Sequence, residues 1–216
     1  MEKQEKKPLI KLHNSIREIS LHVWRTLLLC GVACAVIVMA TSSMMTQNRV
    51  ALLVIGLVCV IFTGIVIYAN TWAYGDRDAN FVQFGRTKRD VFKGLKVGLI
   101  AIIPSLLMNI PVALSKLEII PFDFMPCYRV LMAPLWPLIN FIHPYGAVPH
   151  PAVEATELTE AMAATEAITW GQLGIMALLP LIFVGFCWAG YELGYHRISL
   201  GFKLMYEDKK KTEKKK

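Results

Sequence analysis

The sequence is short of charge, and the shortage is uneven. Asp, Glu, Lys and Arg make up only 18% of its 216 residues, against about 25% in soluble globular domains. Four stretches hold none at all: Leu27–Met45, Val50–Asn70, Val97–Ser115 and Trp170–Tyr191, of 19, 21, 19 and 22 residues. Soluble helices and strands interleave apolar and charged positions at periods of 3.6 and 2. Separation into blocks argues against a soluble domain with four buried core helices, because too little amphipathic sequence remains to cover them.

Catalytic and ligand signatures are also missing. The chain has no Walker loop, no G-x-S-x-G, no H-E-x-x-H and no Rossmann fingerprint. Asp76-Arg77-Asp78-Ala79-Asn80 opens like a calcium loop, but Phe81 and Thr87 stand where that loop needs Gly and a bidentate Glu. A turn or capping role is expected there instead. Five cysteines give no disulfide framework. Cys30 and Cys34 share a face of the first run, Cys59 and Cys187 lie in other runs, and Cys127 has no evident partner. Basic residues flank the apolar runs and do not interleave with aromatics, so no nucleic-acid partner is expected. No cofactor is implied, and the reading leans away from an enzyme.

What is present is apolar length. A helix of about 20 residues, rising 1.5 Å per residue, covers a hydrocarbon core of about 30 Å. In lipid every backbone N–H and C=O needs an internal partner, so such runs form helices. The expected fold is all-α: an integral membrane bundle with four transmembrane helices at 27–45, 50–70, 97–115 and 170–192. The first run is too long for the core of a cleaved signal peptide, although Val38-Met39-Ala40 resembles a cleavage site. It reads as an anchor that stays.

The basic residues orient the bundle. With four spans, twenty Lys and Arg fall in the N-terminal segment 1–26, the loop 71–96 and the tail 193–216, and three, Arg49, Lys116 and Arg129, on the other side. The positive-inside rule then places both termini in the cytoplasm and 116–169 outside. The apolar stretch Val130–Ile142, interrupted by Pro134 and Pro137, challenges the count. It is short for a span, and crossing would put the lysine-rich tail outside, so a re-entrant or interfacial piece is expected.

Smaller features complete the organisation. Leu9, Leu12, Ile16, Ile19 and Val23 recur at helical spacing, which predicts an amphipathic interfacial helix over Pro8–Trp24. Tyr74-Gly75-Asp76 reads as a turn. Thr87-Lys88-Arg89-Asp90 has the form of a capping box, with the third span starting as helix near Lys88. Pro151–Thr169 reads as a helix leading into the fourth span, bent or not at Gly171 or Gly174.

Candidate functional residues are few. Asn109, between Pro104 and Pro111, is polar in a span whose prolines permit a broken helix, the way many transporters build sites. Glu192 and His196, four apart at the inner end of the fourth span, have the spacing of a proton-handling pair. His143 and His150, followed by Glu154, Glu157 and Glu160, are the candidates for an outer-face enzyme site, without matching any zinc spacing. Gly94/Gly98 and Gly190/Gly194 are GxxxG helix-packing pairs, with Gly31/Ala35 and Gly185/Ala189 as looser versions. The function expected is a non-catalytic accessory or scaffold subunit, or a self-associating component, of a cell membrane, with a bacterial cytoplasmic membrane fitting the compact loops. The alternatives are a small transporter or channel-like protein centred on the third span, and an outer-face membrane enzyme. The expected partners are a bilayer with anionic headgroups and further copies or other membrane subunits.

Overall fold

A computed structural model describes residues 15–42, 48–149 and 166–198. Within them the chain is helical and contains no strand. The helices are α1 (Ile16–Ala40), α2 (Arg49–Gln83), α3 (Lys93–Leu107), α4 (Asn109–Lys116), α5 (Met125–Leu131), α6 (Trp136–Ile142), α7 (Trp170–Leu178) and α8 (Leu181–Tyr195), with a 3₁₀ turn at Ala133–Leu135 before α6. Four units are long and apolar enough to cross a membrane: α1, α2, α3 with α4, and α7 with α8.

Helix α1 joins two segments that the sequence reading separates. Neither Gly nor Pro stands between Ile16 and Cys30, so nothing interrupts the helix where the amphipathic stretch meets the apolar run. The Ser20 and Thr26 hydroxyls bond back to the carbonyls of Ile16 and His22, at 2.8 and 3.0 Å. Ile19 and Val23 turn into the bundle core with Val60, Ile67 and Val97. Residues 16–24 therefore extend the first span and do not form a separate helix; residues 8–14 of the expected amphipathic helix lie outside the described residues.

Helix α2 runs 35 residues, about 52 Å at 1.5 Å per residue, thirteen residues beyond the apolar run. The expected turn at Tyr74-Gly75-Asp76 is helix interior. Gly75 is there for contact: a Cβ on it would lie 2.1 Å from the Tyr191 carbonyl oxygen. The backbones of α2 and α8 meet at this point, and only glycine leaves room. The expected capping box is also displaced. Helix α3 begins at Lys93, and the Asp90 carboxylate, not Thr87, accepts from the backbone, taking the Phe92 N–H at 3.1 Å.

Two spans are broken, each at a proline. Pro111 has no N–H to give the Leu107 carbonyl, and its ring crowds that carbonyl. Helix α3 accordingly stops at Leu107 and α4 starts at Asn109. Pro180 does the same to the Met176 carbonyl, and α7 gives way to α8 at Leu179–Pro180. Gly171 and Gly174 both lie inside α7, and the break comes later, at Pro180. Helix does not lead into this span through Glu166–Thr169. Thr169 instead starts a fresh helix with a full capping box: its Oγ1 accepts from Gln172 N at 3.3 Å and Gln172 Oε1 accepts from Thr169 N at 2.9 Å.

The stretch 133–142 is tucked between α1 and α2. Pro134 packs over Gly31, and Pro137 and Leu138 pack over Gly56. Those glycines lie nine and seven residues from the ends of their helices, which places the stretch about 10–13 Å below those ends. Ala133, Leu135 and Ile139 are buried there.

Candidate functional site

The bundle has a polar cluster at its basic end, where α2, α3 and α8 converge. Asp78 follows Thr71 and Gly75 on one face of α2 at spacings of four and three, so extension of that helix carries it inward. Lys93 is the first residue of α3, and its ammonium pairs with Asp78 Oδ2. Tyr191 of α8 donates its hydroxyl to the same oxygen at 2.7 Å. Asp78, Lys93 and Tyr191 are each only 4% exposed. One carboxylate oxygen thus ties three helices together. Opposite charges this deep are tolerated only as a bonded pair.

A second layer lies nearer solvent. Arg89 reaches Glu192 Oε1 at 2.5 Å and His196 Nε2 at 3.2 Å, and its guanidinium lies 4.7 Å from the centre of the Tyr195 ring. Glu192 and His196 are themselves 3.3 Å apart. Arg197 contacts Asp76, Asn80 and Gln83. Asp90 pairs with Lys96 at 2.8 Å, and that bond holds its carboxyl below the usual carboxylate range. Between the layers is a cleft of about 300 Å³ whose wall includes Asp78, Thr87, Lys88, Arg89, Lys93 and Tyr195.

The candidate residues fall in different places. Glu192 and His196 come together, with Arg89 as third member. Gly190 and Gly194 face α2: a Cβ would lie 2.2 Å from Thr71 Oγ1 at the first and 2.1 Å from the Trp72 carbonyl oxygen at the second. Gly94 and Gly98 face α8, at Tyr191 and Val184. All four glycines sit at contacts within the chain. Gly185 has open space beside it.

Asn109 lies at the break in the third span. Its amide nitrogen donates to the carbonyls of Ser105 and Leu106 at 3.4 and 3.2 Å, serving oxygens at the end of α3. Its amide also lies against the Tyr128 hydroxyl. Burial pushes the Tyr128 phenol up to about 12, with Asn109 opposing the rise, so at neutral pH it keeps its proton. It donates to the Met176 carbonyl at 3.5 Å, an oxygen that loses its i+4 donor to Pro180 and also accepts from the Leu179 N–H at 3.3 Å. Asn109 and Tyr128 therefore bridge the two proline breaks. Tyr128 packs with Val112, Met125, Ile168, Leu173 and Met176 in one buried apolar cluster. Asn109 Oδ1 is buried without a hydrogen-bond partner.

His143 is buried, with Nε2 2.9 Å from the Gly146 carbonyl. Arg129 donates to the carbonyls of His143 and Tyr145 at 3.1 and 2.5 Å. His150, Glu154, Glu157 and Glu160 lie outside the described residues. Among the described residues no three His, Cys, Asp or Glu side chains are grouped to hold a metal ion.

No protein-family model, curated protein or solved structure matches this chain. Its site is legible only from its own geometry. The sequence reading gives Asp78 a turn or capping role, counts Lys93 only among the basic residues of the loop 71–96, and assigns no role to Tyr128, Tyr191 or Pro180. The available signal was the 71–75–78 spacing, which matters only once α2 is continued past Asn70.

Proposed function

We propose that the chain is an integral membrane protein crossing the bilayer four times, with the basic end in the cytoplasm and the proline-rich end outside. We propose further that it serves as a non-catalytic accessory or scaffold subunit of a cell membrane, a bacterial cytoplasmic membrane fitting best. The observation that supports this most is the apolar filling around the span breaks. A transport pathway there needs a polar, wetted cavity, whereas Asn109 and Tyr128 are engaged with backbone carbonyls among buried Met, Ile, Leu and Val side chains. The polar groups of the basic end are likewise engaged with one another. The GxxxG faces are occupied within the chain, so a partner subunit would meet other surfaces. The face of α8 carrying Gly185 and the half-exposed Trp188 is one.

Affinity purification from native membranes in mild detergent tests the reading. Co-purifying membrane subunits, or a defined oligomer, are expected; a monomer without partners would remove it. A second reading, a small transporter, is favoured by one observation, the buried and unpartnered Asn109 Oδ1. An Asn109→Cys variant labelled by a membrane-impermeant thiol reagent in intact cells would support transport, and protection would count against it. The same reagent on Glu157→Cys, as the single cysteine of a chain whose native cysteines are replaced by Ser, tests the orientation, with labelling expected.

A further inference from the structure

The far end of the bundle holds a larger cavity, about 520 Å³, between the end of α1, the start of α2 and α6. This is within the range of small-molecule sites. Its walls are apolar and aromatic: Val38, Leu52, Trp136 and Phe141. Ser42, Arg49, Asn140 and Tyr145 bring polar groups to the wall, and of these lining residues Arg49 alone is charged.

Arg49 is conspicuous by elimination. Three basic residues lie on this side of the bundle, and two are engaged within the chain. Lys116 bonds the Ile168 carbonyl and covers the Trp170 ring at 5.2 Å, and Arg129 bonds the carbonyls of His143 and Tyr145. The Arg49 side chain has no hydrogen bond, ion pair or ring contact among the described residues. Its position does not explain it as a helix stabiliser either. It is the first residue of α2, where a cation opposes the helix dipole and where the Asn48 side chain already caps the Val50 N–H at 2.9 Å. A guanidinium with no anion among the described residues, beside an apolar and aromatic cavity, is complementary to an amphiphile with an anionic head.

The geometry points to a binding site for an anionic phospholipid, its phosphate on Arg49 and its acyl chain against Val38, Leu52 and Phe141. The inference rests on the proposal that the chain spans a bilayer. Arg suits this role through its planar, bidentate fit to phosphate. The ligand would hold α1, α2 and α6 together where no other charged side chain lines the cavity.

Trp136 in the cavity wall provides the readout. The full chain is placed in phosphatidylcholine nanodiscs carrying brominated phosphatidylglycerol or, separately, brominated phosphatidylcholine. A Trp136→Phe variant subtracts the other tryptophans. The expected result is quenching of Trp136 at a lower mole fraction of the anionic lipid than of the zwitterionic one. Arg49→Gln should raise the anionic lipid's half-quenching fraction about tenfold, the worth of one charge-assisted hydrogen bond, and Arg49→Lys less. Equal quenching of the wild-type protein by the two lipids, or an unchanged response in Arg49→Gln, would overturn the site while leaving the four-span reading intact. A chain that does not enter nanodiscs would overturn both.

Discussion

The two ends of the bundle are held by different chemistry. At the basic end, side chains bond side chains across helices: Lys93 and Tyr191 on Asp78, Arg89 on Glu192, Arg197 on Asp76. At the proline-rich end, side chains bond backbone: Asn109 on Ser105 and Leu106, Tyr128 on Met176, Arg129 on His143 and Tyr145, Gln172 on Ile142. Broken and short helices explain the contrast. Pro180 has no N–H for the Met176 carbonyl, Ser105, Leu106 and Ile142 lie in the last turns of their helices, and His143 and Tyr145 follow a helix end, so these carbonyls take side-chain donors. Helices α2 and α8 lack prolines where they meet at the basic end, so their backbones are self-satisfied and their side chains are free to pair with one another.

The comparison fails first, and most heavily, at Asp78. Asp78→Ala leaves the buried Lys93 ammonium without its counter-ion, and breaking such a pair costs about 3–5 kcal/mol. Thermal unfolding in detergent should show a large destabilisation. The double variant Asp78→Leu with Lys93→Met should recover most of it, because neither charge then remains to be buried. Equal losses in the single and double variants would mean that the pair is not what joins these helices.

Next is the helix contact that positions the pair. Gly194→Ala puts a methyl 2.1 Å from the Trp72 carbonyl oxygen, an approach relieved only by moving backbone. Overpacking of this kind costs about 1–3 kcal/mol. Gly185→Ala, on the open face of the same helix, should leave the unfolding midpoint of the isolated protein nearly unchanged. If both variants lose stability equally, α8 does not pack on α2 in this register.

The uneven legibility of the two ends has the same physical source. All four long apolar helices show in the sequence because a charge-free run of about 20 residues is a local property that needs no partner. The Thr169 cap is an equally local signal, which reading Pro151–Thr169 as helix passes over. What else was missed depended on tertiary contact. Gly75 carries the same local signal in a turn and in a close helix crossing, and only the opposing Tyr191 backbone distinguishes them. Once Gly75 was read as a turn, α2 ended early and Asp78 fell in a loop, which hid its pairing with Lys93. The amphipathic stripe of Ile16, Ile19 and Val23 has a similar ambiguity, since lipid and bundle core satisfy it alike. Of the candidate residues, Glu192 and His196 were placed together by their spacing of four, but Arg89 reaches them from more than 100 residues away in sequence.

The smallest expected effect lies at the proline-rich end. Tyr128→Phe removes one donor from the Met176 carbonyl and keeps the ring in its buried seat. The hydrogen bond is long, 3.5 Å, and neutral hydrogen bonds in membrane bundles average about 0.6 kcal/mol by double-mutant cycles. A loss of about 1 kcal/mol or less in unfolding stability is therefore expected. Tyr128→Ala also empties the space of a fully buried ring, and large-to-small changes of aromatic residues cost about 3–5 kcal/mol. The gap between the two variants separates the hydroxyl from the packing. If Phe were as damaging as Ala, the bridge between the proline breaks would be carrying this end, and the two ends of the bundle would depend on polar contacts to the same degree. If Phe is nearly silent, the far end is held by apolar packing, with its donors serving mainly to keep broken backbone from being buried bare.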